Sequence, residues 1–244
     1  MTVALITALK RDGVAIARGA LPEEIVVAWR AAAEARYREV DAISATEGPW
    51  VVAHRLGVPF VPTASSLGLS ALGALAGEIA TQIQRAVGGP MEAVMGGSSR
   101  PLLESAWLRR QFAPALAPPY HAPHAWHQDG GLGFDYLNDT DLVGGLLPMV
   151  TCWCPLVACG RDAPGLAYRP GRTDALLSLD ALAAVAGPAE APALAPGDVL
   201  LFTGDVLHRT HARAHMTRDR VSVEVRYVPA AHPGRRGPWS APAE

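Results

Sequence analysis

The chain is poor in cysteine, in charge and in long apolar runs. Its three cysteines, Cys152, Cys154 and Cys159, cannot pair completely. Cys-x-Cys is half of a zinc site with no second pair to close it, so they read as buried thiols in a reducing compartment. Charged residues make up 18% of the 244, below the ~25% usual for soluble proteins. A net charge of −2 offers no general attraction to phosphate backbones or anionic lipid, so neither nucleic acid nor a membrane is expected as a partner. No stretch reaches the ~18 uninterrupted apolar residues of a membrane span. In "MTVALITALKRDG" the basic residues follow the apolar run and no small-residue cleavage site comes next. That segment reads as mature sequence of a cytoplasmic protein.

Half of the residues are apolar, and all-β barrels commonly occupy ~200–250 residues as one domain, so a single domain over residues 1–244 is expected. "DGVAIARGA" alternates and reads as a first strand. "LPEEIVVAWRAAAEARYREV", with Glu23 and Glu24 early and apolar residues at helical spacing, predicts a helix over about Pro22 to Val40. "DAISATEGPWVVAHRLGVPFVPTAS" has three prolines and no clean period, and reads as an irregular lid. "LGLSALGALAGEIATQIQRAVGG" returns to helical spacing and is predicted to stop at Gly88-Gly89. From Ala106 on, short β-type runs such as "AWLRRQFAP", "MVTCWCPLV", "GLAYRPG" and "GDVLLFTGDVLH" are divided by Pro and Gly, the punctuation of a sandwich or closed barrel. The expected layout is 1–105 as helical support and lid, 106–230 as the β core and 231–244 as a loose tail. Two helices would cover one face of the core.

"PYHAPHAWHQDGG", residues 119–131, spaces three histidines by three and places an acid two residues beyond the last. On a strand, side chains alternate faces, so His127 and Asp129 point one way and Gln128 the other. His124 has the wrong parity and His121 lies beyond Pro123, so both read as loop or surface histidines. A third donor stands in "PGDVLLFTGDVLHRTHARAH", where a turn at Pro196-Gly197-Asp198 opens a strand with His208 at its far end and His211 and His215 beyond. Two neutral imidazoles and one carboxylate on one face of a metal form the facial triad of non-haem Fe(II) oxygenases, which leaves the opposite positions for co-substrate and oxygen. A structural zinc site would instead be closed by four ligands, usually including thiolates.

The last strand, "RVSVEVRY", puts Val221, Val223, Val225 and Tyr227 on one face and Arg220, Ser222, Glu224 and Arg226 on the other. In a barrel that holds a ligand, the polar face can point inward. Arg220 would then aim a planar, permanently charged fork into the cavity beside the Ser222 hydroxyl, a pair suited to gripping a carboxylate. Arg218 is the rival anchor.

With "HQD" at 127–129, "PLVACGRDAPGLAYRPGR" at 155–172, "GDVLLFTGDVLHRT" at 197–210 and "RVSVEVRY" from 220, the chain resembles the phytanoyl-CoA dioxygenase family of Fe(II)/2-oxoglutarate-dependent oxygenases. Motif order and intervals agree over most of its length. The resemblance implies a double-stranded β-helix, the cupin-like jelly roll, with flanking N-terminal α-helices. It implies His127, Asp129 and His208 as the iron ligands, with His208 preferred to His211 and His215. Arg220, with Ser222, is implied as the anchor for the distal carboxylate of 2-oxoglutarate, in preference to Arg218. The implied reaction consumes 2-oxoglutarate and O2, releases succinate and CO2, and oxidises a small organic substrate by hydroxylation, desaturation or ring formation. In related halogenases a small residue stands where Asp129 does, and room is left for chloride. Two features depart from the family: the usual Pro-Gly-Ser-His turn reads Pro170-Gly171-Arg172-Thr173, and the interval from His208 to Arg220 is about one residue longer than is common. No run of Lys or Arg marks a site for the phosphates of CoA, which favours a small biosynthetic intermediate. Trp50, Phe60, Phe134 and Tyr136 are candidates for the pocket walls. A non-catalytic jelly-roll binding module, and a cupin-type metalloenzyme that does not use 2-oxoglutarate, are the alternative readings.

Overall fold

The computed structural model describes residues 2–48, 51, 65–118, 121–131, 146–184 and 188–232. Its elements run α1 (Thr2–Asp12), β1 (Val14–Ala17), α2 (Glu23–Glu47), β2 (Ser66–Gly68), α3 (Leu75–Met95), β3 (Ser99–Gln111), β4 (Val150–Pro155), β5 (Gly165–Tyr168), α4 (Leu179–Ala183), β6 (Val199–Thr203), β7 (His208–His211) and β8 (Arg220–Pro229). Six strands form one antiparallel sheet in the order β1-β6-β4-β8-β3-β2. The second layer is the β5–β7 pair, widened by isolated bridges between His127 and His208 and between Tyr168 and Glu190. This is a mainly β jelly roll with helices packed outside its larger sheet.

Period-two alternation sorts the side chains of that sheet into two cores. Val150, Cys152 and Cys154 of β4, Val199 and Leu201 of β6, and Val223, Val225 and Tyr227 of β8 face the helices, where they meet Leu5, Leu9, Trp29, Ile79, Ile83 and Met91. Trp153, Leu200 and Phe202, at the intervening positions, pack inward against Leu166 and Tyr168 of the smaller layer. The Tyr227 hydroxyl donates to Ala80 O at 2.7 Å and ties the sheet to α3. All three cysteines are buried free thiols, and burial pushes Cys159 up to about 11. Among the described residues no helix is long and apolar enough to cross a membrane.

The structure departs from the sequence expectations at four places. The β core is not confined to 106–230, because β1 pairs with β6 from Val14↔Phe202 to Ala17↔Val199, β2 pairs with β3, and β3 itself begins at Ser99. Residues 2–12, read only as a short apolar run, form α1, held by Leu5 and Leu9 one turn apart in the helix-side core. Helix α3 does not stop at Gly88-Gly89. It passes through Pro90 to Met95 and ends at Gly96 in the left-handed region, because Ile83, Val87 and Met91 continue one fully buried stripe. Packing of that stripe outweighs the helix-weakening residues. Helix α2 likewise continues past Val40 to Glu47.

Candidate functional site

His127 and His208 are brought together by backbone pairing. His127 N–H donates to His208 O at 3.0 Å and His208 N–H to His127 O at 3.1 Å, which sets the two rings 4.1 Å apart, centroid to centroid. Each ring then turns one nitrogen to a carbonyl: His127 Nδ1 lies 2.8 Å from Ala125 O and His208 Nδ1 3.1 Å from Val206 O. Donation there leaves the Nε2 lone pairs free, as metal-ligating imidazoles require. Both Nε2 atoms look toward Asp129 Oδ1, at 3.8 Å from His127 and 3.6 Å from His208. His127, Asp129 and His208 form the one group of potential metal donors found among the described residues, with ligand atoms all within 4.8 Å of one another.

Asp129 reaches this point by a different route from the one the sequence suggests. "AWHQD" is not a strand: only His127 makes a bridge, and Asp129–Gly131 form a tight helical turn. Gly130 N–H donates to Gly204 O at 2.8 Å, and a Cβ at Gly130 would sit 2.9 Å from that oxygen. The close approach draws the turn onto the end of β6. Gln128 faces away as expected, its amide spread among Thr173, Ala175, Asp205 and Leu177. The unusual Arg172-Thr173 pair belongs to this buttress, since Arg172 Nε and Thr173 N–H both reach Asp205 Oδ2.

Burial by itself would raise the pKa of Asp129. Arg226, with His208 and His127 nearby, nevertheless holds it well below the usual carboxylate range. Arg226 Nε and Nη2 approach Asp129 Oδ2 and Oδ1 at 3.2 and 3.0 Å, and the Thr151 hydroxyl donates to Oδ2 at 2.7 Å. His208 is only 4% exposed. Burial first, then His127, bring its pKa down to about 4 despite Asp129. His124, which burial and then Arg109 and His127 also lower to about 4, is neutral at physiological pH too. Both return to about 6.5 on unfolding. The unfolded chain therefore binds protons between about pH 6.5 and 4 that the folded chain refuses, and stability is lost as pH falls through that window. Metal-free protein should melt at a lower temperature at pH 4.5 than at pH 7, and calorimetry giving the same Tm at both would contradict these environments.

The inner face of β8 carries the other half of the site. Arg220 is 3% exposed and Ser222 fully buried, and neither Arg220 Nε nor Ser222 Oγ has a hydrogen-bond partner. The Arg220 guanidinium lies over the Trp153 ring, 5.1 Å from its centroid. Burial lowers its pKa to about 10, which leaves it charged. It opens into a pocket with His127, His208, Gln111, His121, Leu166 and Thr210. Arg218 is exposed, His215 is exposed and His211 half-buried. His121 and His124 line the pocket but engage Gln111 Nε2 at 2.6 Å and Arg109 Nη1 at 3.4 Å respectively. Arg226, Thr151 and Arg109 were given no role from the sequence; only the inward parity of Arg226 on β8 hinted at one. Trp50, Phe60, Phe134 and Tyr136 lie outside the described residues.

No family profile and no curated protein matches the chain. Solved structures do. The non-haem alpha-ketoglutarate-dependent epimerase SnoN from nogalamycin biosynthesis, in complex with Fe3+, alpha-ketoglutarate and nogalamycin RO, superposes with a TM-score of 0.67 at 18% identity, covering 100% of this chain and 93% of its own. EctD from S. alaskensis, with 2-oxoglutarate and 5-hydroxyectoine, gives 0.67 at 14% identity over 95% and 77%. AviO1 from Streptomyces viridochromogenes Tue57 gives 0.62 at 19% identity over 97% and 98%. At these identities the likeness is one of fold.

Proposed function

We propose that this jelly roll is a non-haem Fe(II)/2-oxoglutarate-dependent dioxygenase of the phytanoyl-CoA dioxygenase type. It would act in the cytoplasm on a small organic, biosynthetic substrate and release succinate and CO2. One observation carries the reading: His127 Nε2, Asp129 Oδ1 and His208 Nε2 converge at a pocket that His127 and His208 share with the buried Arg220, whose Nε lacks a partner, as does Ser222 Oγ at the next inward position of β8. The donor set is that of a facial triad, and an unmatched buried guanidinium is costly unless a ligand completes it. The shared fold with SnoN, solved with Fe3+ and alpha-ketoglutarate, and with EctD, solved with 2-oxoglutarate, supports the same reading.

His127, Asp129 and His208 would hold Fe(II), and Arg220 with Ser222 would take the distal carboxylate of 2-oxoglutarate. The bound iron supplies O2 activation coupled to oxidative decarboxylation of that co-substrate. The chain's own residues prepare for it. His127 and His208 each turn Nδ1 to a carbonyl, burial keeps His208 neutral, Asp129 stays ionised, and Trp153 and Leu166 lie against the guanidinium's side of the pocket. Ser65, Ser66, Arg109, His124 and Thr210 give the remaining described wall a polar character, suited to a small hydrogen-bonding substrate. With iron bound, Asp129 would take the position a halide would need, which favours hydroxylation, desaturation or ring formation over halogenation.

The test is anaerobic addition of Fe(II) and 2-oxoglutarate, which should produce the visible charge-transfer absorption of the chelate. Admitting O2 in chloride buffer should then give slow, iron-dependent succinate even without substrate, and no chlorinated product once a substrate is found. Absence of both the absorption and the succinate would reject the assignment. A chlorinated product would remove Asp129 from the ligand set.

A further inference from the structure

Asp129 ends a chain of buried charges that runs from the pocket to the metal donors. Arg226 bonds both of its oxygens, donates to Ser105 O at 2.6 Å and forms an ion pair with Glu224. Glu224 in turn holds Arg109 Nε at 3.0 Å, and Arg109 Nη1 reaches Ser66 Oγ at 3.1 Å. Asp129, Glu224 and Arg226 are all buried. Burying paired charges is weak ground for stability, since apolar replacements often serve as well. A role other than stability is therefore indicated.

That role follows from counting lone pairs. An ionised carboxylate has about four acceptor directions, two on each oxygen. On Asp129 Oδ2 both are taken, one by the Thr151 hydroxyl and one by Arg226 Nε. On Oδ1 one is taken by Arg226 Nη2, and the other is left on the side of the two imidazoles. A free aspartate can grip a cation through one oxygen or both, and a two-oxygen grip takes a coordination position that a co-substrate needs. We propose that Arg226, with Thr151, is a positioning residue that restricts Asp129 to one-oxygen ligation and so reserves the positions for 2-oxoglutarate. The proposal rests on the oxygenase reading above. Glu224 serves it by fixing the guanidinium from the other side.

The test uses full-length Arg226→Met, Thr151→Val and Thr151→Ser proteins loaded anaerobically with Co(II) or Fe(II). Thr151→Val removes only the hydroxyl, so it carries the test should Arg226→Met not fold, and Thr151→Ser restores the donor. Arg226→Met and Thr151→Val should keep their Co(II) affinity but change the visible Co(II) absorption. They should also bind 2-oxoglutarate to the metal-loaded protein about tenfold or more weakly, because a two-oxygen grip fills a position the co-substrate needs. Thr151→Ser should recover both the spectrum and the affinity. Wild-type spectra and 2-oxoglutarate affinity in Thr151→Val and in any folded Arg226→Met would overturn the proposal. So would parallel loss of Co(II) affinity, which would mean that these residues only hold Asp129 in place. A wild-type protein that binds metal but gives no chelate band rejects the oxygenase reading itself. A normal wild type with unaffected variants rejects only the role given to Arg226 and Thr151.

Discussion

Replacing His127 or His208 by alanine should abolish iron-dependent turnover of 2-oxoglutarate and sharply lower Fe(II) affinity, since each would supply one of only three protein donors. The fold should survive, since His127 lies at the pocket wall and the pairing with His208 is made by backbone atoms. Asp129 is different. Alanine there would leave Arg226 buried without its carboxylate, a change that typically costs about 3–5 kcal/mol, so Asp129→Asn is the variant that separates ligation from folding. Alanine at His124 or His215 should leave iron binding intact. Iron titration with a parallel thermal melt decides the matter: a His127→Ala protein that still turns over, beside a His124→Ala protein that does not bind iron, would overturn the ligand set.

Arg220→Ala should weaken 2-oxoglutarate binding ~30- to several-thousand-fold, the equivalent of ~2–5 kcal/mol for a desolvated arginine–carboxylate pair. Iron affinity should change little, because Arg220 touches none of the three donors. Its contacts are the Trp153 face and a long 3.4 Å approach to Gly165 O, so the guanidinium is held in place without being consumed. Arg218→Ala, at an exposed position just before β8, should bind 2-oxoglutarate as the wild type does. Titration of the chelate absorption reads both variants, and equal affinity in Arg220→Ala and wild type would reject the anchor.

These sites were legible because local pattern encodes them. Turn residues bound the strand that leads to His208, and strict alternation in "RVSVEVRY" puts Arg220 and Ser222 on one face, though that this face points inward follows only from the barrel. The pairing of His127 with Asp129 was reached by the right residues through the wrong element, since a tight turn does what strand parity was expected to do. Helix α3 crosses Gly88, Gly89 and Pro90 because the sheet buries Met91, and no local signal carries that. The contacts of Asp129 with Arg226 and of Arg109 with Glu224 join residues 97 and 115 positions apart. Such pairs leave no trace in a sequence window, which is why the two donors given a role beside Asp129 came only from the folded chain.

The pairing of β1 with β6 joins the start of the chain to a strand near its end: Arg18 and Asp198, bonded at 2.6 Å, are 180 residues apart. Loops of that length close slowly, and folds built on such contacts belong to the slow end of the folding range. During synthesis, His127 and Asp129 emerge long before His208, and the carboxylate waits for Arg226, on the last strand, before it is fixed. A half-made chain therefore presents only two of the three proposed donors. The site is complete only once β8 has paired, so any metal held there would have to arrive after the sheet is assembled.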